Sequence, residues 1–469
     1  MTESNGFDKP NGSNGSSNGD GGLRPGYTGR YLVSFAPETM EKSVQVLKNK
    51  AGVSAVKVGA AGPDAPGSED MVFEEIGVAV VTAHPDQHRA LLAVAADPST
   101  PVSVVEPERV VYASMLSGSS IRRASSPPPP PGMPSIPTPF PQPSLRTGVV
   151  GLSADFLRGY GAAVEALLHA AGASATPQTA SERDLFTAAA GATWGLVATR
   201  VLASEVSGKG VKVAILDTGM DLHHPDFAGR AITSRSFVQG QLVQDGHGHG
   251  THCVGVACGP RQPAFGPRYG VAYGANIYVG KVLDNSGRGV DGDILAGINW
   301  AVANRCALVS MSLGAPVELG ETYGQIYQNA ARAAEAKGTL IVAAAGNESH
   351  RPDDIRPVGH PANCPTILAV GALDSALQVA YFSCGGLNGD GGEVNIAAPG
   401  VDVYSSWPMP QRYNTISGTS MATPCVAGIA ALFAESTGLR GLALANHMLQ
   451  HARRLSPARD FGWGFVQAT

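Results

Sequence analysis

The strongest regularity along the chain is a series of short, uninterrupted apolar runs separated by helical patterns. V-K-V-A-I-L (211–216), A-N-I-Y-V-G-K-V-L (275–283), A-L-V-S-M-S-L (307–313), T-L-I-V-A-A-A (339–345) and T-I-L-A-V-G-A (366–372) lack the alternation of a strand with one wet face, so they predict strands buried on both sides. D-G-D-I-L-A-G-I-N-W-A-V-A-N (291–304) and the stretch from Tyr323 to Lys337 predict the intervening helices. Strands joined by helices give an α/β unit with a largely parallel sheet flanked by helices, here over 193–469, and function in such sheets gathers at the C-terminal strand ends.

The N-terminal pattern is different. Residues 1–28 are mostly Gly, Ser, Asn and Asp with little to bury, which predicts a disordered tail. R-Y-L-V-S-F, T-M-E-K-S-V-Q-V-L-K-N-K-A-G, E-I-G-V-A-V-V-T-A, H-R-A-L-L-A-V-A-A-D and V-S-V-V-E-P predict strand, helix, strand, helix and strand, a small α+β domain over 29–115. Residues 116–192 form a connector. Ten of the seventeen residues from Pro127 to Pro143 are proline, which favours an extended spacer, and S-A-D-F-L-R-G-Y-G-A-A-V-E-A-L-L-H-A-A-G (153–172) predicts an Ala-rich helix with a Gly stop.

Composition changes this picture little. The 469 residues exceed the roughly 250–300 at which one core stops growing, in keeping with two folded units. A net charge of -5 without a long basic run argues against nucleic acid or an anionic membrane as partner. The N-terminus has neither the basic start nor the apolar run of a signal peptide, so a cytoplasmic location as encoded is expected, with non-classical secretion also compatible. Cys253, Cys258, Cys306, Cys364, Cys384 and Cys425 include no C-x-x-C pair and several sit in apolar runs, which predicts free buried thiols.

Three places carry candidate chemistry. Asp217 closes the run V-K-V-A-I-L, which puts a carboxylate at a strand's C-terminal end. His247, His249 and His252 crowd D-G-H-G-H-G-T-H-C, where a metal site, a single catalytic imidazole and a polar loop are all open readings. Ser420 lies in I-S-G-T-S-M-A-T-P-C-V-A-G, a turn running into an apolar helix, where a hydroxyl is exposed beside backbone N–H groups. Each alone has a bland reading: a turn carboxylate, a structural imidazole, a helix cap. Together they are the parts of a nucleophile, a general base and the group that orients the base. Their chain order, Asp, His, Ser, differs from the Ser, Asp, His order of α/β-hydrolases.

With D-T-G-M-D-L-H-H-P-D, G-H-G-T-H-C-V-G and S-G-T-S-M-A-T-P-C-V-A-G in that order, residues 193–469 resemble the subtilisin-like serine proteases, and D-G-H-G-H-G-T-H-C most resembles their proteinase K branch. The resemblance implies a serine endopeptidase that hydrolyses peptide bonds through an acyl-enzyme, with Asp217, His249 and Ser420 as triad and Asn347, in A-A-A-G-N-E, as oxyanion donor. It implies that Gly287, Arg288 and Gly289 on one side and Ser312, Leu313 and Gly314 on the other clamp an extended substrate, with Ala344, Gly346 and Gly359 around the primary pocket and Glu348 at its rim. Val290 and Asp291 stand near where many relatives have an aromatic wall.

His252 matches a structural position and Cys253 the free thiol beneath the catalytic His. Residues 29–115 resemble the family's inhibitory, ferredoxin-like propeptide, so a self-inhibited precursor, acting as a monomer on protein or peptide substrates, is implied. Two cut sites remain open: near Ala113 to Leu116, and between the proline spacer and Trp194. No cofactor is implied for catalysis; structural calcium is compatible with the chain but not indicated, because the Asn-rich loop that binds it in bacterial subtilisins has no counterpart between Cys258 and Ala275. A protease-like binding scaffold without a working site and a His-rich metal hydrolase are the alternatives.

Overall fold

A computed structural model describes residues 26–53, 56–58, 70–114 and 191–468. The predicted proline spacer and Ala-rich helix lie outside these residues, as does nearly all of the predicted tail. The N-terminal unit runs β1 (Tyr27–Phe35), α1 (Met40–Ala51), β2 (Val56–Val58), β3 (Met71–Phe73), β4 (Val78–Thr82), α2 (Pro85–Ala96) and β5 (Val102–Ala113). The order across the sheet is β5-β1-β4-β3-β2; the neighbours are antiparallel except for β2 alongside β3. The strands β2 and β3 are absent from the sequence expectation. At three residues each they are too short to show a period of two.

Alternation along the strands assigns this sheet two different neighbours. Val33, Val72, Ala79 and Val81 face Leu47 of α1 and Leu91 and Val94 of α2, closing a small core of their own. Leu32, Phe73, Val78 and Val80 point the other way, into a core shared with Ile294, Leu295 and Ile326 of the second unit. In α1, Met40, Ser43, Leu47 and Ala51 recur at helical spacing on the buried side, and Gly52, at φ 67°, ends the helix in the left-handed region.

The second unit contains β6 (Lys212–Asp217), β7 (Ile232–Ser236), α3 (His249–Cys258), β8 (Asn276–Lys281), β9 (Arg288–Val290), α4 (Asp291–Ala303), β10 (Leu308–Met311), β11 (Leu313–Gly314), α5 (Gln325–Ala336), β12 (Leu340–Ala344), β13 (Leu368–Leu373), β14 (Ile396–Pro399), β15 (Val403–Ser406), β16 (Tyr413–Ile416), α6 (Thr419–Thr437) and α7 (Gly441–Gln450). Seven strands form a parallel sheet in the order β14-β13-β12-β10-β6-β8-β7. Residues of β6 show why the runs are continuously apolar. Val213 and Ile215 enter the core beneath α3 and α6, whereas Ala214 and Leu216 enter the core beneath α4 and α5. Among the described residues no single helix is long and apolar enough to cross a membrane. All six cysteines are buried and free.

The two units are joined through carboxylates placed at helix N-termini, where unpaired backbone N–H groups and the helix dipole favour negative charge. Glu108 of β5 is fully buried; it accepts from Arg30 at 2.6 and 2.8 Å, from the Thr28 hydroxyl, and from the Gly292 N–H in the first turn of α4 at 3.0 Å. Glu106 accepts from the Gln325 N–H at the start of α5 at 2.8 Å, and burial pushes its carboxyl above the ordinary range despite that bond. In return Asp291 of α4 accepts the Arg109 N–H at 2.9 Å. Removing the Glu108 carboxylate takes away the acceptor of two Arg30 hydrogen bonds and of the first-turn N–H of α4, so Glu108→Ala is expected to cost about 3–5 kcal/mol, read as a lower midpoint in denaturant unfolding of the full chain. An unchanged midpoint would mean that this contact does not hold the units together.

Candidate active site

Asp217 ends β6 at the carboxyl edge of the sheet, and His249 opens α3 beside it. The two helices that supply His249 and Ser420, α3 and α6, pack against each other on one face of that sheet. The approach of α3 to the end of β6 depends on glycine. A Cβ on Gly250 would lie 2.2 Å from the carbonyl oxygen of Gly219, so the first turn of α3 sits directly on the backbone that follows Asp217. Asp245 fixes that turn from the front. Its Oδ1 accepts the N–H groups of His247 and Gly248 at 2.9 and 2.8 Å and the Thr218 hydroxyl at 3.0 Å; its Oδ2 accepts both the N–H and the hydroxyl of Thr251. Asp245 escaped the sequence reading, although a carboxylate just ahead of a helix is the usual signal for a cap.

Asp217, His249 and Ser420 are all fully buried. Asp217 Oδ1 pairs with His249 Nδ1 at 2.7 Å and also accepts the Thr218 N–H at 2.7 Å. Burial opposes the charged imidazolium, but the charge of Asp217 and this hydrogen bond outweigh it, so His249 is raised well above the ordinary imidazole range. The other ring nitrogen, Nε2, has no partner. The expected bond from Ser420 to His249 is therefore not made here. The Ser420 hydroxyl donates instead to the carbonyl of Ser114 and, at 3.1 Å, to that of Ser312. Pro424 lies inside α6 and has no N–H to give Ser420's carbonyl four residues back; that oxygen is taken by the Ser312 hydroxyl at 2.8 Å and the Cys253 thiol at 3.6 Å.

Asn347 sits on the turn after β12. Its Oδ1 is held by the N–H and hydroxyl of Thr419, both at 2.9 Å, which aims its Nδ2 at the Ser114 carbonyl oxygen, 2.6 Å away. The segment leading to Ser114 is an inserted strand. β5 runs antiparallel to β9 on one side, with Val111 opposite Gly289 and Tyr112 opposite Arg288, and to β11 on the other, with Ala113 opposite Leu313 and Tyr112 opposite Gly314. The Ala113 N–H reaches the Gly287 carbonyl at 2.8 Å, and the Ser114 N–H reaches that of Ser312 at 3.2 Å. Gly287 adopts φ 80°, which a side chain would resist. Ala344 ends β12, Gly346 at φ 113° follows it, and a Cβ on Gly359 would come within 2.8 Å of the Ala315 carbonyl. The sequence-predicted residues thus converge on one cleft. Glu348 lines an adjoining cavity of about 250 Å³ with Glu318 and Arg356.

The neighbouring histidines His252 and His247 are directed to different surroundings. His252 Nε2 contacts the Val403 carbonyl at 3.0 Å, and burial lowers its pKa to about 3, so it is a neutral donor behind the site. His247 is half-buried, with its ring 6.1 Å from that of His249; burial and the His249 charge lower its pKa from the ordinary imidazole range. The one group among the described residues with metal-ligand proximity is Asp217, His249 and Cys253, the hydrogen-bonded pair and the thiol beneath it. Asp291, near the expected aromatic wall, is engaged with Arg109 and with His360 at 3.1 Å.

Comparison with known proteins agrees with the geometry. The model of the subtilase family matches residues 208–464. Subtilisin DY of Bacillus licheniformis is 36% identical over 271 residues, covering 57% of this chain and 93% of that protein. Subtilisin BL of Lederbergia lenta is 36% identical over 280 residues, covering 59% and 96%. Subtilisin E of Bacillus subtilis (strain 168) is 40% identical over 228 residues, covering 48% and 56%. The chain belongs to the subtilase family, and it is a serine endopeptidase that acts on protein or peptide substrates.

His252 yields a pH prediction independent of activity. An unfolded chain takes up a proton there near pH 6.5, whereas the fold resists it down to about 3. A depressed folded-state pKa contributes stability that is complete above the unfolded value and is lost as pH falls. Unfolding free energy is expected to decline from this residue by about 1.4 kcal/mol per pH unit between those values. His252→Gln should flatten that part of the stability curve; an identical slope in the variant would refute the assignment.

Proposed function

We propose that this endopeptidase is made as a self-inhibited precursor, in which residues 29–114 occupy their own chain's cleft and the first cut falls between Ser114 and Met115. The observation that carries the reading is the position of the Ser114 carbonyl oxygen, between Asn347 Nδ2 and the Ser420 hydroxyl at the end of an added strand. An extended peptide held by backbone bonds on both edges is the general geometry of strand addition, and it leaves one carbonyl facing the nucleophile. Of the two candidate cuts, this supports the one at the end of the small domain.

In this reading Ser420 Oγ attacks the Ser114 carbonyl carbon while His249 Nε2 takes the hydroxyl proton. Asp217 holds the imidazole in the tautomer that leaves Nε2 free and stabilises the imidazolium. The negative charge that develops on the Ser114 oxygen is met by Asn347. Collapse breaks the C–N bond, and the proton on His249 passes to the departing Met115 amine. Water, with His249 again as base, then releases the acyl group as a Ser114 carboxylate and restores the Ser420 hydroxyl. The same cycle serves other substrates once the cleft is vacated. The inhibitor's own residues suggest their character: Val111 is fully buried and Ala113 partly so, whereas Tyr112 is half exposed, so an apolar side chain is read at the Val111 position and a small one at the Ala113 position, while the Tyr112 position is read loosely.

Mass spectrometry of the purified chain tests the reading. Wild type should yield a new N-terminus at Met115 and Ser420→Ala should stay uncut; a cut elsewhere, or a cut Ser420→Ala chain, would contradict it. Asn347→Leu keeps the fold's volume but removes the donor, and kcat on a peptide substrate is expected to fall about 10²–10³-fold, the range found for that donor in a subtilisin.

A further inference from the structure

Behind the catalytic pair lies a charge to which the reaction scheme assigns no part. Lys281 ends β8, in register with Asp217 on β6, and its side chain is fully buried. Its ammonium donates to the Thr218 carbonyl at 2.6 Å and to the Asn285 side-chain oxygen at 2.8 Å. Thr218 is the residue after Asp217. Asn285 stands two residues before Gly287, and the same Asn285 oxygen accepts the Gly246 N–H at 3.2 Å. One buried cation therefore ties together the strand end that carries Asp217, the loop that leads into α3 and His249, and the loop that leads into the substrate edge β9.

A buried ammonium with only two carbonyl-type acceptors is expensive unless nearby charge compensates it. The acidic groups facing it come from three elements: Asp217 on β6, Asp245 in front of α3, and Asp284 before β9. Burial lowers its basicity and these three carboxylates oppose that shift. Two of them have other duties. Asp245 caps α3, and Asp284 accepts the N–H groups of Ser286 and Arg288 at 2.8 and 3.0 Å. Asp217 has one oxygen, Oδ2, without a hydrogen-bond partner, so it meets the cation only as a through-space charge.

We propose that Lys281 is a positioning residue for peptide hydrolysis: its buried ammonium sets the field behind Asp217 and clamps the loops that carry His249 and the substrate edge. The inference rests on the proposed role of His249 as base. The pair Asp217–His249 holds its proton more tightly the more negative its surroundings. With the ammonium present, the carboxylate's pull on the imidazolium is moderated, and His249 gives up its proton at a lower pH than it otherwise would. The other titratable neighbours of His249 are Cys253, His247 and His252, none of which supplies a compensating positive charge while neutral.

The test is a pH profile of kcat/KM on Val-Tyr-Ala-Ser-p-nitroanilide, using chains produced at full length and allowed to process, with active sites counted by a fluorophosphonate. Lys281→Gln, which keeps a donor, and Lys281→Met, which does not, should both move the acid limb to higher pH. At mildly acidic pH their rates, relative to their own plateaus, should fall about threefold or more below the wild type's. Lys281→Arg should restore the wild-type limb. Asn285→Ala, which cuts the tether and leaves the charge, should change KM and not the limb. Unmoved limbs in Lys281→Gln and Lys281→Met, or an equal movement in Asn285→Ala, would overturn the proposal. If neither neutral variant matures, Asn285→Asp decides against Gln241→Glu, since Gln241 touches Asn285 and not the ammonium. Only the first should move the limb, and equal movement would overturn the proposal. A wild type that cleaves nothing would instead sink the functional reading itself.

Discussion

The structure turns on a single strand, β5, being accepted between two strands of the other unit. Everything in the cleft is arranged around that insertion. Its two flanks, β9 and β11, come from separate crossovers of the parallel sheet, and the residue that follows it, Ser114, reaches Ser420 in the first turn of α6. Backbone pairing fixes the register, so the carbonyl that meets Ser420 and Asn347 is chosen by chain geometry and not by the Ser114 side chain. The carboxylates of Glu106 and Glu108 add the other half of the constraint. By capping α5 and α4 they anchor the small sheet from the same strand, so one edge of the N-terminal unit carries both its docking charges and the end that enters the cleft.

The candidate site follows a similar economy of position. Asp217 and Lys281 end strands of the sheet, and Asp245 and His249 stand before and at the start of α3; backbone groups fasten the side chains of Asp217, Lys281 and Asp245, and Asp217 in turn fastens the His249 ring. Asp217 is held by the Thr218 N–H, Asn347 by Thr419, and the Ser420 carbonyl, freed by Pro424, by Ser312. Such fastening fixes the groups before substrate arrives, which is how an electrostatic site avoids reorganisation during reaction. The buried pair of Asp217 and His249 is the costly element of the arrangement, and the surrounding dipoles and the Lys281 cation make it tolerable.

Much of this was legible in the sequence, and the reason is locality. The apolar runs are buried on both faces, so they announce the parallel strands without any need to resolve which residue meets which core. The Asp217, His249 and Ser420 motifs each sit in one short turn whose glycines and small residues are required by close contacts, as at Gly250 against Gly219. What was not legible depends on long-range placement. β2 and β3 are too short to carry a pattern, and the polar strands β7 and β16 look like loops. Lys281 reads as a charged interruption of an apolar run, and only the register of β8 against β6 shows that it faces Asp217's strand end. Ser114 carries no motif; its place is set by how far β5 travels along the cleft. In the histidine cluster sequence proximity alone left a shared ion open beside a single catalytic imidazole, and the fold sends His252 to Val403 and His249 to Asp217.

The central claim is that the chain's own segment through Ser114 keeps a competent nucleophile covered. Labelling by a fluorophosphonate, followed against molecular size during processing, addresses it most directly. Label is expected on the form that has been cut after Ser114 and freed of the N-terminal unit, with the full-length chain unlabelled while β5 is in place. Equal labelling of the uncut precursor, or a freed form that resists the probe, would contradict the account.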